Sequence, residues 1–589
     1  MMRRFSALVL AAFALSACSN SGQNASHQAS PQGSPQASSG NGIRVSVTVP
    51  STTHPGPIDG RLFVIFASAD KPDPRIQILS PESTPPFFAM DVHDVQPGQA
   101  MVVDSSAAGY PVKSLTNLPP GDYNVEAFVF LYTTYHRADG HTIAAPEQWG
   151  PQVFSLQPGN PYSSVQHVHV DAGSNATISL TADKTIGVNE LADLEGESQG
   201  YANDTPWLKH FRILSPTLSK WWGKPIYLGA TVLLPKGYAS HPNAHYPVVY
   251  NQNHFYGPIP WEFTTDRSTE TPQAAAEGKR SGLGTGYEFY EAWNSAHFPR
   301  FLLVTWQHPC PFFDDSYAVN SANCGPFGDA IQNELIPAIE SRYRVLRESR
   351  ARIVEGGSTG GWESLVLQLQ HPKFYGGAWV FDPDPIDFSA FQQIDVYRDA
   401  NGFYIPSEGG GWLKYWRYFE RTPRGQSLVT ERDLSAYEQV MGTKGRSQYQ
   451  LDGWWAIFDP AGSDGYPEPL WNMNTGVIDK SVASYMRDNG YDLVYYMKQH
   501  WPVLGPQLHG KLHFIVGDMD SYFLNLAVYK AQDFLESTTN PKSDATFTYG
   551  RPMKGHGWHP MTWAALLEQM AAQVRANTPP GESNAQWNY

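Results

Sequence analysis

The chain has 589 residues, more than one ordinary domain holds and enough for two or three. It carries 41 Lys and Arg against 56 Asp and Glu, a formal net charge of −15 and a pI near 5.7. Nucleic-acid affinity rests on Lys and Arg, so this balance excludes that class of partner and leaves solubility as the plain reading of the charge. Charged residues make up 16% and aromatics 13%, a composition with ample material for buried cores.

Residues 1–18 read as a targeting segment. Arg3 and Arg4 form its positive start, and residues 7–15 form an apolar run too short for a comfortable bilayer span. Leu15-Ser16-Ala17-Cys18 resembles a bacterial lipobox. That resemblance implies cleavage before Cys18, which becomes the lipid-bearing first residue. Ser19, rather than Asp, after the cysteine favours the outer membrane of the cell envelope. A plain secretory signal with an incidental cysteine is the alternative. Residues 19–42 are Ser, Gln, Gly, Asn, Ala and Pro with almost no large apolar residue, the composition of a flexible tether.

From 43 to 185 the pattern predicts a small β-sandwich-like domain. Residues 44–49 alternate with period two, and 62–66, 123–130 and 176–180 are further strand candidates. His167 and His169 share one strand face, the placement of a pair of metal ligands. With no third ligand nearby, a solvated face is the better reading. A linker follows over 186–205.

Strand patterns then recur at 210–214, 226–234, 246–251, 301–306, 377–381 and 512–516, with helical patterns at 329–343 and 561–576 among them. Such alternation predicts an α/β fold, a doubly wound and mostly parallel sheet with helices on both faces. Within it Gly356-Gly357-Ser358-Thr359-Gly360 fits G-x-S-x-G, after the apolar run 351–354 and before apolar positions Leu365, Val366 and Leu369 on one helical face. A serine on a sharp strand-to-helix turn projects its hydroxyl from the sheet, and the backbone N–H of Thr359 sits where it can hold an oxyanion.

Asn333-Glu334-Leu335-Ile336-Pro337-Ala338-Ile339-Glu340, then Tyr343-Arg344, the Gly-Gly-Ser-Thr-Gly-Gly elbow and His371-Pro372-Lys373-Phe374 resemble the esterase D-like family of α/β-hydrolases. That family includes feruloyl esterases, enterochelin esterases and mycolyltransferases. The resemblance runs from about 206 to the C-terminus and is strongest over 326–387. It implies an α/β-hydrolase domain with Ser358 as nucleophile. Two features depart from the family: the acidic and aromatic run Phe381-Asp382-Pro383-Asp384-Pro385-Ile386-Asp387-Phe388, and a long insertion at about 388–505.

A serine needs a base, and the base needs an orienting carboxylate. In this fold the chain order is Ser, acid, His. After the strand pattern at 512–516 comes Gly517-Asp518-Met519-Asp520, which resembles the family's Gly-x-x-Asp segment and places the acid at Asp520, with Asp518 as rival. Lys554-Gly555-His556-Gly557-Trp558-His559 precedes the last helix pattern and resembles the family's Gly-His motif, which makes His556 the base in preference to His559. An ordinary imidazole titrates near about 6.5. The loop Gln252-Asn253-His254-Phe255-Tyr256-Gly257 occupies the place of the family's His-Gly segment, so the second oxyanion donor is expected from His254 or Phe255, beside Thr359.

With Cys18 lipidated, Cys310 and Cys324 are an even remainder in an exported protein and are expected to pair. The insertion holds Trp412, Tyr415, Trp416, Tyr418, Phe419, Trp454, Trp455, Trp471, Tyr495, Tyr496 and Trp501, which either line a site for sugar, aryl or acyl groups or form the insertion's own core. No metal or organic cofactor is implied. The readings are an extracytoplasmic serine esterase or acyl transferase acting on a small-molecule or polysaccharide-linked ester, an inactive hydrolase-fold binding protein, and a serine peptidase without its usual propeller.

Overall fold

The computed structural model describes residues 42–69, 71–148, 157–187, 204–253, 259–406 and 414–589. The targeting segment with Cys18, almost all of the tether, most of the expected linker, His254, Phe255 and Trp412 lie outside the described residues.

An eight-stranded sheet carries the C-terminal part. Its order is Leu208–Leu214, Tyr227–Leu233, Leu302–Gln307, Val248–Gln252, Arg352–Gly357, Gly377–Phe381, Leu512–Gly517, Thr546–Gly550. The first two pairings are antiparallel and the rest parallel. The interior strands are buried along nearly their whole length, as strands covered on both faces must be. The last strand has no counterpart in the expected set. Residues 546–549 alternate between exposed and half-buried at the sheet edge before buried Gly550, so the strand lacks the continuous apolar run of its neighbours.

The helix pattern at 329–343 is interrupted. Phe327–Ala330 is α-helical, Ile331–Leu335 is a π turn, and Ile336–Arg342 resumes the α-helix. Pro337 has no N–H to give and its ring crowds the preceding turn, and the wide turn just before it relieves both. The final helix runs Trp563–Ala576, with the Thr562 side chain accepting from the Ala565 N–H.

The described residues between 44 and 185 form strands and short 3-10 turns. Arg44–Thr48 pairs with Thr177–Thr181 and Met101–Val103 in a small sheet. The larger sheet centres on Ile58–Ala67 and Gly121–His136. Alternate residues of these strands serve two cores. Leu62, Val64, Phe66, Val125 and Val129 face the small sheet. Phe63, Ile65, Phe128 and Phe130 join the core of the C-terminal part. Arg61 Nε donates to the Val440 carbonyl at 2.9 Å, and the Tyr437 hydroxyl donates to the Ile78 carbonyl at 2.6 Å. The all-strand region is therefore packed against the segment between Gly377–Phe381 and Leu512–Gly517. His167 and His169 lie exposed on Gln166–Val170, with His169 Nδ1 2.7 Å from Asp122 Oδ1, which is the solvated-face arrangement.

In that intervening segment, Phe419, Trp454, Trp455, Trp471 and Trp501 are buried, whereas Tyr415 and Trp416 are exposed. Half of the segment's Phe, Trp and Tyr residues are buried in the core. Cys310 and Cys324 are joined, with Cα atoms 5.9 Å apart, and the loop between them is almost wholly buried.

Close backbone approach at the turn after Arg352–Gly357 sets one local demand. A Cβ on Gly360 would come 2.2 Å from the Gln252 carbonyl oxygen. Gly360→Ala is expected to destabilise the fold by about 3 kcal/mol or more, measured by denaturant unfolding. A midpoint unchanged from wild type would contradict this packing.

Candidate active site

Ser358 stands between the strand Arg352–Gly357 and the helix Thr359–Gln370 with φ 57° and ψ −123°. Such a conformation costs a non-glycine residue about 1–3 kcal/mol and persists only where the surroundings fix it. They do so here. The Ser358 N–H donates to the Phe381 carbonyl at 3.0 Å. Its own carbonyl accepts from the N–H groups of Gly361, Trp362 and Asp384 at 2.9, 3.2 and 3.0 Å. Ser358 is half-buried and Gly357 exposed, so the turn faces solvent at the C-terminal end of the parallel strands. Thr359 begins the helix, where backbone N–H groups have no intrahelical acceptor and the helix dipole is positive.

The strand Leu512–Gly517 leads into the loop with the two acid candidates. Asp520 is fully buried. Its Oδ1 accepts from the N–H groups of Tyr522 and Leu524 at 2.9 and 3.1 Å, and its Oδ2 lies 2.7 Å from His556 Nδ1. Asp518 instead accepts from the Lys554 N–H at 3.1 Å and braces the histidine loop. His556 is partly exposed, with the Tyr522 ring edge-on at 5.0 Å. His559 is buried and stacks on Phe381 at 4.0 Å, with its nitrogen pushed down to about 3 by burial and by the neighbouring His556. The structure thus brings Asp520 and His556 together and sets Asp518 and His559 apart from that pair.

Two further carboxylates belong to the site and had no role in the sequence reading. Asp382 is buried and accepts from the Gly517 N–H at 3.1 Å and the Gly557 N–H at 3.0 Å. One ligand atom each from Asp382, Asp520 and His556 lies within 4.8 Å of the others. Both oxygens of Asp382 already hold backbone N–H groups, so the trio reads as an acid–base group rather than a metal cradle. Burial pushes the Asp382 carboxyl up, His556 opposes and Asp520 adds to the rise. Asp384 receives the Ser358 hydroxyl at 3.3 Å on Oδ1. Its Oδ2 accepts from Tyr317 OH at 2.6 Å, Thr359 Oγ1 at 3.0 Å and Trp454 Nε1 at 3.0 Å. The Asp-Pro-Asp-Pro run directly after a buried strand was the available signal, since that position lies beside the elbow in a parallel sheet.

Among the described residues no hydrogen bond joins Ser358 to His556; the serine hydroxyl is turned to Asp384. Burial alone would lower the His556 pKa, but Asp520, through charge and hydrogen bond, and then Asp382 and Asp384 push it up to about 9. This replaces the ordinary histidine value expected from the sequence.

Residues 305–432 match the model of the esterase family, described as "Putative esterase". No curated protein matches the chain. Three solved structures illustrate the wider likeness. A ferulic acid esterase is 14% identical, with 62% of this chain and 97% of that chain covered at a TM-score of 0.32. A fluorophosphonate-binding serine hydrolase of Staphylococcus aureus is 13% identical, with 62% and 98% covered at 0.30. An S-formylglutathione hydrolase of Agrobacterium tumefaciens is 10% identical, with 64% and 98% covered at 0.28. Scores this low carry no weight by themselves. The family match over 305–432, which contains the elbow, identifies the chain as a hydrolase of the esterase type.

Proposed function

We propose that the chain is an extracytoplasmic serine esterase or acyl transferase working through Ser358, His556 and Asp520. The observation that supports it most is the 2.7 Å contact of His556 Nδ1 with buried Asp520, at the same end of the sheet as the strained serine. In this reading Ser358 Oγ turns from Asp384 to His556 Nε2 and gives it a proton as the Oγ–carbon bond forms. Thr359 N–H holds the oxyanion, with a second N–H from His254 or Phe255. His556 then protonates the leaving alcohol as the ester C–O bond breaks. Water or a second alcohol, deprotonated by His556, resolves the acyl-enzyme. The substrate is a small-molecule or polysaccharide-linked ester.

A binding protein without turnover is the second reading, and one observation favours it: the serine hydroxyl donates to Asp384 rather than to the histidine.

We further propose the organisation that goes with export. Residues 1–18 are a lipoprotein signal, Cys18 bears lipid, 19–42 tether the protein to the outer membrane, 43–185 are a β-sandwich-like domain, 186–205 a linker and 206–589 the hydrolase domain with its insertion at about 388–505. The two-sheet core of the all-strand region supports the division. A single lipid chain holds weakly and more than one signal gives stable anchoring. Cys18→Ala is expected to move the protein from the detergent-soluble membrane fraction to the soluble fraction. The same fractionation for both forms would sink the anchor.

On a panel of aryl, acetyl-xylan, feruloyl and short-chain acyl esters, Ser358→Ala is expected to lower kcat on the order of 10^4-fold or more without loss of folding. Full activity in that variant would reject the assignment. Asp520→Asn is expected to cost far more than Asp518→Asn, since only Asp520 touches the base.

The pH dependence carries its own sign. The base acts as neutral imidazole, so kcat/KM should rise through the His556 pKa of about 9. Asp382 favours the imidazolium, so Asp382→Asn should move that limb to lower pH. An unmoved limb would show that Asp382 does not act on the base.

A further inference from the structure

The two departures from the esterase family, the acidic run after Gly377–Phe381 and the long segment that follows it, meet at one carboxylate. Asp384 is 2% exposed. Its Oδ2 accepts from neutral donors drawn from three parts of the chain. Tyr317 OH, at 2.6 Å, comes from the loop closed by the Cys310–Cys324 bond, and Thr359 Oγ1, at 3.0 Å, from the start of the elbow helix. Trp454 Nε1 at 3.0 Å and Gln450 Nε2 at 3.4 Å come from the helix Gln450–Phe458. The Asp384 N–H donates to the Ser358 carbonyl at 3.0 Å, and Pro383 and Pro385 restrict the backbone on either side. The carboxylate is therefore fixed against the elbow.

Oδ1 is served differently. Among the described residues its one donor is the Ser358 hydroxyl at 3.3 Å. Asp384 forms no ion pair among those residues, and His556 pairs with Asp520 instead. The reaction proposed for Ser358 takes the single donor away. Once the hydroxyl has turned to His556 and bonded to the acyl carbon, Oδ1 is a buried anion with nothing on it. It then stands beside a carbonyl on which negative charge is growing, and like charges repel strongly where water is excluded. A backbone carbonyl would rest the serine equally well without this cost. The cost disappears when a donor on the substrate takes the place that the serine hydroxyl leaves.

Given a nucleophilic Ser358, on which this rests, we infer that Asp384 Oδ1 selects the substrate by accepting a hydrogen bond from a hydroxyl or ammonium group on the carbon next to the ester. Oδ1 lies 3.3 Å from the atom that bonds the reacting carbon, and a charge-assisted donor sits about 2.8 Å from its acceptor, so only a group close to the ester reaches it. Hydroxyacyl and aminoacyl esters offer that group from the acyl side, and partial esters of polyols offer it from the alcohol side. Asp384 is a specificity-determining residue in this account, and the donors on Oδ2 hold its other oxygen toward the reacting centre.

The test compares esters that differ in donors beside the ester group. The phenyl esters of lactic acid and of alanine are each paired with phenyl propanoate, and glyceryl monobutyrate is paired with propyl butyrate. In wild type at least one donor-bearing ester should exceed its partner in kcat/KM by about ten-fold or more. The pair that shows it assigns the donor as hydroxyl or ammonium, and as acyl-side or alcohol-side. Asp384→Asn should bring that ratio close to one, because the donors on the Oδ2 side hold the amide oxygen and turn its NH2 to the substrate. A merely structural role would lower both esters together and leave the ratio in place. A second measurement needs no turnover. Ser358→Ala removes the serine donor for good, so calorimetry on that variant should find the favoured ester bound about ten-fold or more tightly than its partner, and the added change Asp384→Asn should abolish the preference. Turnover with ratios near one in all three pairs would overturn the inference and leave the esterase reading standing, as would a preference that survives Asp384→Asn. No turnover of any ester, with an Asp384-dependent binding preference in Ser358→Ala, would overturn the esterase reading and keep Asp384 as the recognition residue. Equal binding within every pair by Ser358→Ala would overturn the inference in either case.

Discussion

Ser358 is held where a non-glycine residue does not rest by choice, and the neighbouring elements each contribute to holding it. The strand Arg352–Gly357 is locked between two parallel partners, so the chain leaves the sheet at a fixed point and direction. The helix that follows is entirely buried but for its last residue, so it cannot tilt to release the turn. Three backbone N–H groups converge on the serine carbonyl, and one of them comes from Asp384, across the turn. Gly360 lets the helix sit against the Gln252 carbonyl, and a side chain there would push the two apart. The strain of about 1–3 kcal/mol is small beside the burial that holds it, and it keeps the hydroxyl at the surface of an otherwise closed core.

Around that hydroxyl the interior is acidic. Asp520 and Asp382 flank His556, and Asp384 takes the serine hydroxyl. Each carboxylate is tolerated because hydrogen-bond donors meet it, as burial of a charge requires. The shared consequence falls on His556. Carboxylates gathered around one imidazole favour its charged form, so the group proposed to take the serine proton is a stronger base than a free histidine and is neutral in a smaller fraction of molecules near pH 7. The segment between Gly377–Phe381 and Leu512–Gly517 belongs to this electrostatic arrangement as well as to the packing. Trp454 donates into Asp384, and Arg421 Nε donates to the Asp520 carbonyl at 2.9 Å. The all-strand region in turn packs on that segment, so the N-terminal part of the chain is continuous with the walls near the site.

How much of this could be read in advance follows from the range of each interaction. The elbow was legible because strand, turn and helix are neighbours in sequence, and the G-x-S-x-G spacing records their geometry directly. Asp520 and His556 were legible because the fold keeps a chain order and because glycines mark the loop that must bend. The places of Asp382 and Asp384 were not, since their meaning comes from a sheet that puts the end of Gly377–Phe381 beside the end of Arg352–Gly357. The edge strand Thr546–Gly550 escaped because edge burial leaves a weak alternation. The aromatics at 454, 455, 471 and 501 were ambiguous because composition alone does not distinguish a lining from a core.

The central claim is that Ser358 is a nucleophile activated by His556. A fluorophosphonate probe tests this without knowledge of the natural ester, because it reacts with the activated serine itself. Intact-mass and peptide mapping of the labelled full chain should show one adduct on the peptide containing Ser358, absent from Ser358→Ala and formed far more slowly in His556→Ala. An adduct on a different residue, or none under conditions where the protein remains folded, would contradict the account.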